Sequence, residues 1–499
     1  MMKRLFMKSK KKQISPKTDH EQGVDPDFDV TLEQFKKAYF YPVNTDFTVR
    51  NLHIGGINKR AAIVFINTIT DIQVINEFAI DPLIKNQEQN ILIEDIITIQ
   101  SMETKNTIND ATLDINNGNA ALIIEGESKV YILNASNFEG RSVEKPDNES
   151  VVKGPKEAFN EKVFTNISLV RKRIRDKNLI VESSIISKRS KNMVYMLYLK
   201  DIANEKLLDN VRERVNALDT DAIQNLSLLE QYIEERKYSI FPSVLYTERP
   251  DRAVSFLEDG YIVLLMENSP DCLVLPATFW SFFHSAEDHY LRFPYGNFTR
   301  ILRMLSFFIT IFTSAIYVAV VTYHIGMIPP DLLLAIAATR EKVPFPALVE
   351  IVLMEIAFEL IREAGLRVPT PIGPTIGIVG ALILGQAAVQ ANLVSPIVVI
   401  VVALGGLSSF AVGDISMNFT VRLIRFLFIF AAGLFGIYGM TAVFVMGMFY
   451  MVSLKSFGVP YLSPLTPSYQ SSKDTLFRRA IPKEALRPGY LKPKDIKKR

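Results

Sequence analysis

Between Ile301 and Leu454 the chain is dominated by apolar runs, and that feature restricts what it can fold into more than any other. Ile301 to Tyr323 carries one charge, Arg303, in 23 residues, against the roughly 20 apolar residues that a bilayer core requires. Gly377 to Ala391 and Ile397 to Val412 are shorter uncharged candidates, separated by Asn392 and Ser395-Pro396. Phe426 to Leu454 is 29 residues without a charge, long enough for one tilted helix or for a helix broken near Gly433, Gly436 and Gly439. These runs predict an all-α transmembrane helix bundle over residues 296–455.

The chain ahead of them is mixed and charged in pattern. Ala61 to Ile66 is a short apolar run of strand type, Asp71 to Ile84 suits a helix, and Ala120–Ile124 with Val130–Leu133 forms a hairpin around Glu125-Gly126-Glu127-Ser128. A polar linker over Glu144–Ser150 precedes a second block. It holds a helix from Val163, a strand at Val194–Tyr198, a helix from Glu205 and a hairpin of Tyr261–Met266 with Cys272–Leu275. The fold class is therefore a soluble α/β region of two mixed subdomains, 34–150 and 151–295, followed by the bundle. Residues 1–33 read as a flexible basic N-terminal tail and 456–499 as a basic C-terminal tail. Pro482, Pro488 and Pro493 bar a long helix from the latter, leaving charge as its expected contribution.

Net charge is only +3, so nothing supports nucleic acid as a partner, and the single cysteine, Cys272, excludes an internal disulfide framework. The basic start has no apolar core of a signal peptide. Residues 455–499 hold eleven Lys or Arg against three acids, and Arg292, Arg300 and Arg303 flank the first span. The positive-inside rule places both on the cytosolic side, so the number of crossings is even, four or six.

One segment, 346–367, is apolar yet carries Glu350, Glu355, Glu359, Arg362, Glu363 and Arg367. Ionised groups in lipid cost roughly 2.5–3.5 kcal/mol each, which excludes an ordinary lipid-facing span. On a helix Glu355, Glu359 and Glu363 share one face. Two readings follow. The three line a cation path, with Val352 and Leu353 as its gate, or the segment lies on the membrane surface with its acids in water and Arg362 pairing with Glu359. Gly373, Gly377 and Gly380 mark close helix packing, and Arg171, Lys172, Arg173 and Arg175 give the helix from Val163 a basic face able to contact a partner. His284-Ser285-Ala286-Glu287-Asp288-His289 has the wrong spacing for a zinc protease and reads as a polar turn. No catalytic, cofactor-binding or metal-ligating pattern stands out, which points away from an enzyme and from a cofactor.

Several stretches together resemble the A subunit of the GerA-type spore germination receptors. They are Val151–Phe159, Thr165–Ile174, Thr247-Glu248-Arg249-Pro250-Asp251, Ser285–Tyr290, Arg340–Pro346, and Arg362–Pro369 running on into Gly380–Ala388. Two strings differ from that family: Lys153-Gly154-Pro155-Lys156 replaces Arg-Gly-Pro-Arg, and around Leu257-Glu258-Asp259-Gly260-Tyr261 the usual Glu-Gly-Arg is altered. The resemblance implies a multi-pass subunit in the inner membrane of a bacterial endospore, with its soluble part facing the core. It implies assembly with a transporter-like B subunit and a lipoprotein C subunit. It also implies a homo-oligomer, a pentamer, acting as a nutrient-gated cation channel. The competing expectation is a non-conducting scaffold that couples a nutrient-binding partner to downstream machinery.

Overall fold

A computed structural model describes residues 23–138, 145–146, 148–367, 373–471 and 474–498. The chain divides into two compact units: residues up to Arg141 with Ile167–Glu182, and Ser142–Asn166 with Ser183 onward. The helix and strand that follow the expected boundary at residue 150 thus lend part of their length to the first unit.

In the first unit, Asp27 caps helix α1 (Phe28–Ala38) by accepting from the Asp29 N–H. Its apolar stripe Phe28, Leu32 and Phe35 is buried, so the tail expected over 1–33 ends before Phe28; residues 1–22 lie outside those described. Strands β1 (Phe47–Ile54), β2 (Lys59–Ile66), β3 (Met102–Lys105), β4 (Ala120–Ile124) and β5 (Val130–Leu133) form an antiparallel sheet in the order β1-β2-β4-β5-β3. The run Ala61–Ile66 is apolar throughout because both faces of β2 are covered. Ala62, Val64 and Ile66 pack against α1 and α5 (Ile108–Asn116). Ala61, Ile63 and Phe65 meet the helical stretch α2 (Ile72–Ile75), α3 (Asp81–Lys85) and α4 (Ile93–Ile96).

Arg171, near the end of α6 (Val163–Arg173), is only 2 % exposed. Its Nε–H donates to Asp46 at 2.5 Å and an Nη2–H to the Leu179 carbonyl at 3.3 Å. Asp46 also accepts from the Thr68 amide and hydroxyl, so it ties the start of β1 to the end of β2. The expected basic face is therefore corrected: Arg171 is turned inward as the partner of a buried carboxylate. Arg175 remains exposed, donating to Asn117 at 2.8 Å, while Lys172 and Arg173 are half-buried.

The second unit carries a second five-stranded sheet. Strands β6 (Leu179–Ile185), β7 (Met193–Leu199), β8 (Leu245–Thr247), β9 (Ile262–Met266) and β10 (Cys272–Leu275) lie in the order β6-β7-β9-β10-β8. Counted within each sheet, both orders read 1-2-4-5-3, a structural repeat that the sequence alone does not reveal. Helices α7 (Glu205–Asn216), α8 (Leu226–Ile233) and α9 (Pro250–Asp259) accompany this sheet, and the turn α10 (Glu287–Tyr290) leads out of it.

The bundle follows: α11 (Phe293–Tyr323), α12 (Pro330–Arg340), α13 (Ala347–Arg367), α14 (Gly373–Gln390), α15 (Pro396–Phe410) and α16 (Ile415–Ser453). By length and composition α11 and α16 are long and apolar enough to cross a membrane. The last of them doubles back. Gly436 has φ 61° and ψ −144°, a conformation essentially reserved for glycine, and an added Cβ would lie 2.9 Å from His324 Nε2. Near the first end of α16 the Thr420 hydroxyl donates to the Ile240 carbonyl at 2.6 Å, and at its last residue Ser453 accepts from Arg236 at 3.1 Å. The bend itself sits at the far end of α11, where the Tyr323 hydroxyl donates to the Gly433 and Leu434 carbonyls. Residues 415–435 and 437–453 are two antiparallel arms of about 30 Å and about 25 Å.

The C-terminal segment is docked by specific contacts rather than by charge alone. The Asn204 side chain donates to the Leu491 carbonyl and Lys494 pairs with Glu205. Tyr490 meets Tyr261 hydroxyl to hydroxyl, Lys498 pairs with Asp259, and Arg478 donates to the Leu291 carbonyl.

Two outcomes follow. Arg171→Ala strands Asp46 and should cost about 3–5 kcal/mol in thermal unfolding of the full-length chain, whereas Arg175→Ala should stay within about 0.5 kcal/mol. The second concerns His284, whose Nε2–H donates to the Thr475 carbonyl at 2.7 Å. Burial, and then the positive charge of Arg300, push its imidazole down to about 4 from 6.5. The unfolded chain takes up that proton first, so stability falls as pH drops from about 6.5 toward about 4, by up to roughly 1.4 kcal/mol per pH unit. His284→Gln should flatten the melting temperature against pH across that window.

Candidate functional site

Three stretches far apart in sequence converge where the second sheet meets the bundle. Arg249, 1 % exposed, donates to the Pro155 carbonyl at 2.9 Å, the Glu149 carbonyl at 3.1 Å and Asp251 at 2.8 Å. The Val152 amide donates to Glu287, Gly154 lies against the Tyr290 ring, and the Tyr290 hydroxyl donates to Asp251. The polar turn before the bundle supplies Asp288, which is fully buried and accepts from Arg300 at 3.2 Å and from Arg303. Burial alone would raise its pKa, but Arg303 and Arg300 outweigh that and hold the carboxyl below the usual carboxylate range. The arginines that flank the first apolar run are thus bolted to the turn that delivers it.

Inside the bundle the charges of α13 find partners on α16. Ser314 of α11 donates to Glu355 at 2.7 Å, and Arg425 Nη2 lies 2.9 Å from the other oxygen of that carboxylate. Neither Glu355 nor Arg425 has any exposure. The same Arg425 nitrogen donates to Glu359 at 2.8 Å, and Arg422 also donates to Glu359 through Nε at 3.2 Å and through Nη2. Residue numbers rise along α13 as they fall along α16, so the helices run antiparallel and match two successive turns of acid with two of base. Arg362 donates through Nη2 to the Gly406 carbonyl and Ser409 hydroxyl of α15, with its guanidinium 4.4 Å from the Phe410 ring centre and Nη1 3.9 Å from Glu359. At the far end Glu350, fully buried, accepts from Arg340 at 3.2 Å and from the Ser395 amide at 2.9 Å.

The three glutamates expected to act together are therefore divided. Glu355 and Glu359 join the network, while Glu363 is 54 % exposed with Arg367 as its partner at 2.7 Å. One turn beyond Arg422, α16 offers Asn418, which donates to the Ser409 carbonyl instead of reaching Glu363. Of the surface-lying alternative, the acid in water describes Glu363, and the expected approach of Arg362 to Glu359 is present at 3.9 Å. Val352 is half-buried and Leu353 is exposed, on a face of α13 that also shows Ile356 and Leu360. Gly373, Gly377 and Gly380 all fall on α14; Gly380 has ordinary contact distance to Ile361, and the surroundings of the other two lie outside the described side chains. Close packing is seen elsewhere on the bundle: a Cβ at Gly406 would come within 2.5 Å of the Phe358 ring, and one at Gly433 within 2.6 Å of Leu348. Sequence reasoning missed Arg422 and Arg425 because it began the last span after them, at Phe426. Their spacing of three, complementary to the four between Glu355 and Glu359, was the available signal. Among the described residues no group of three or more His, Cys, Asp or Glu is placed to hold a metal ion.

Comparison with known proteins gives a consistent set of relatives. The family described as Bacillus/Clostridium GerA spore germination protein matches residues 33–490. Spore germination protein KA of Bacillus subtilis (strain 168) is 38 % identical over 460 residues, 91 % of this chain and 85 % of that one. Spore germination protein GerLA of Bacillus cereus is 37 % identical over 90 % of this chain and 93 % of its own length. Uncharacterized membrane protein YfkQ of Bacillus subtilis (strain 168) is 36 % identical over 84 % and 82 %. Among solved structures, the N-terminal domain of the A subunit of the Bacillus megaterium spore germinant receptor GerK3 aligns with 52 % of this chain and 98 % of that one, at 27 % identity and a TM-score of 0.41.

The geometry of the network yields a direct test. Arg425→Met leaves Glu355 buried without its cation and should cost about 3–5 kcal/mol, seen as loss of folded full-length protein in mild detergent. Pairing it with Glu355→Met should recover most of that loss, because Glu359 keeps Arg422.

Proposed function

The chain belongs to the Bacillus/Clostridium GerA spore germination family, and on that premise we propose that it is the membrane subunit of a nutrient germinant receptor that forms a cation channel as a homo-oligomer. The observation that carries this reading is the line of ionised groups held inside an apolar bundle. Charge at that depth is costly to keep, and it is retained where ions or protons are handled. The partners are those of a receptor with A, B and C subunits: a transporter-like subunit that takes the nutrient, a lipoprotein and the surrounding bilayer. The role is not enzymatic. In this reading α11, α13, α14, α15 and the two arms of α16 make six crossings, and α12 lies at the far end. The α/β region and the C-terminal segment then share the cytosolic side, which in a dormant spore is the core. Around a five-fold axis the exposed face of α13, with Val352 and Leu353, would form the gate, and Glu355, Glu359 and Glu363 would supply negative charge behind it.

A second reading is favoured by one observation: within a protomer Glu355 and Glu359 are already paired. Charges so satisfied can serve as struts in a subunit that conducts nothing and passes a conformational signal onward.

Potassium-loaded liposomes containing the full-length chain separate the two. The channel reading expects a ring of five in mild detergent and faster potassium release when Val352 and Leu353 are both replaced by Ala. A monomer or dimer that stays tight with those replacements leaves the scaffold reading standing.

A further inference from the structure

Burial divides the network on α13 and α16 into two unlike halves. Glu355 and Arg425 are wholly enclosed, with Ser314 donating to one carboxylate oxygen and Arg425 lying 2.9 Å from the other. The side chains of Glu359 and Arg422 are 18 % and 17 % exposed and stand at the edge of the packing. Removing Arg425 strands Glu355. Removing Arg422 does not strand Glu359, whose Oε1 still has Arg425 at 2.8 Å and Arg362 at 3.9 Å, but it releases Oε2, to which Arg422 Nη2 donates. The long aliphatic stem of Arg422 also allows its head to swing into water. One half of the network is therefore fixed and the other can be exchanged.

We propose that Arg422 is a positioning residue that keeps Glu359 turned into the protomer, and that its release presents the Glu359 carboxylate to the conducting path as the group that favours cations. This rests on the channel reading above. The structure also supplies the element that would work it. Thr420, two residues from Arg422, is hydrogen-bonded to the Ile240 carbonyl in the segment between α8 and β8. The other end of α16 is held by Arg236 of the same segment. A shift of residues 236–240 therefore pulls on both arms of α16, and the pair at the edge of the packing is the contact that yields first. The carboxylate so freed needs no new cation from the protein, because it faces water and the ion that passes.

The test uses the full-length chain in potassium-loaded liposomes, with potassium release and reversal potential under a potassium chloride gradient as readouts. Arg422→Gln should leak at least tenfold faster than wild type, with a reversal potential near that of a cation-selective path. Arg422→Lys should restore tightness. Arg422→Gln combined with Glu359→Gln should lose the cation preference and fall back toward the wild-type rate, whereas a merely loosened bundle would leak as fast as the single variant or faster. If Arg422→Gln stays tight while the Val352→Ala, Leu353→Ala chain conducts, the inference is wrong and the channel stands. If neither conducts although both are inserted and assembled, the channel reading falls and the inference with it. If the double-glutamine chain remains leaky and cation-selective, Glu359 is not the group unmasked.

Discussion

The bundle is organised around Arg425, a guanidinium without any exposure that faces two carboxylates from successive turns of α13. A charge so placed fixes more than its own position. The pairing to Glu355 and Glu359 sets the register of α13 against α16, because a one-residue slide of either helix would swing the acids away from the bases. It also brings α11 into contact through Ser314, and a Cβ added at Gly405 of α15 would lie 3.9 Å from an Arg425 nitrogen. Apolar side chains alone would tolerate several registers of such smooth helices. The ion pairs select one, at a cost in desolvation.

The same device appears in the soluble part on a smaller scale. Asp46 and Arg171 are each only 2 % exposed, and Asp46 reaches Thr68 as well. A carboxylate at the mouth of a hairpin is thereby joined to a helix more than a hundred residues later. At the base of α11, Asp288 gathers Arg300 and Arg303 in the same manner. In each place an arginine that looks like surface charge in the sequence is inward-facing, because its long stem reaches a buried acid.

What could be read from the sequence follows from that difference between periodic and pairwise signals. The hairpin of β4 and β5, strand β7, and helices α11 and α13 carry periodicity or unbroken apolarity and are legible locally. Strands β1, β3, β6 and β8 are short or half polar, so their place in a sheet depends on neighbours supplied by distant residues. The shared 1-2-4-5-3 strand order leaves no trace in residue identities, since a repeat of topology needs only apolar residues at matching faces. The glutamates of α13 were visible as a face, but their fate was not, because partners on α16 are some 60–70 positions away. The break in the last apolar run was legible as a cluster of three glycines. Only the backbone shows that Gly436 takes the turn, and only His324 and Tyr323 explain why no side chain would fit there.

The turn at Gly436 has a mechanical consequence. A 39-residue helix that crossed once would put its two ends on opposite sides of a bilayer, where one short segment could not hold both. Because the chain doubles back, residues 236–240 grip both ends, and the arms respond together when that segment moves. The first arm bears Arg422 and Arg425; the second bears no charge. A displacement shared by both arms is therefore resisted electrostatically on one side only, and within that side the enclosed pair resists more than the pair at the edge. The order in which contacts give way is set by burial, so the division of the network into a fixed and an exchangeable half follows from where α16 turns.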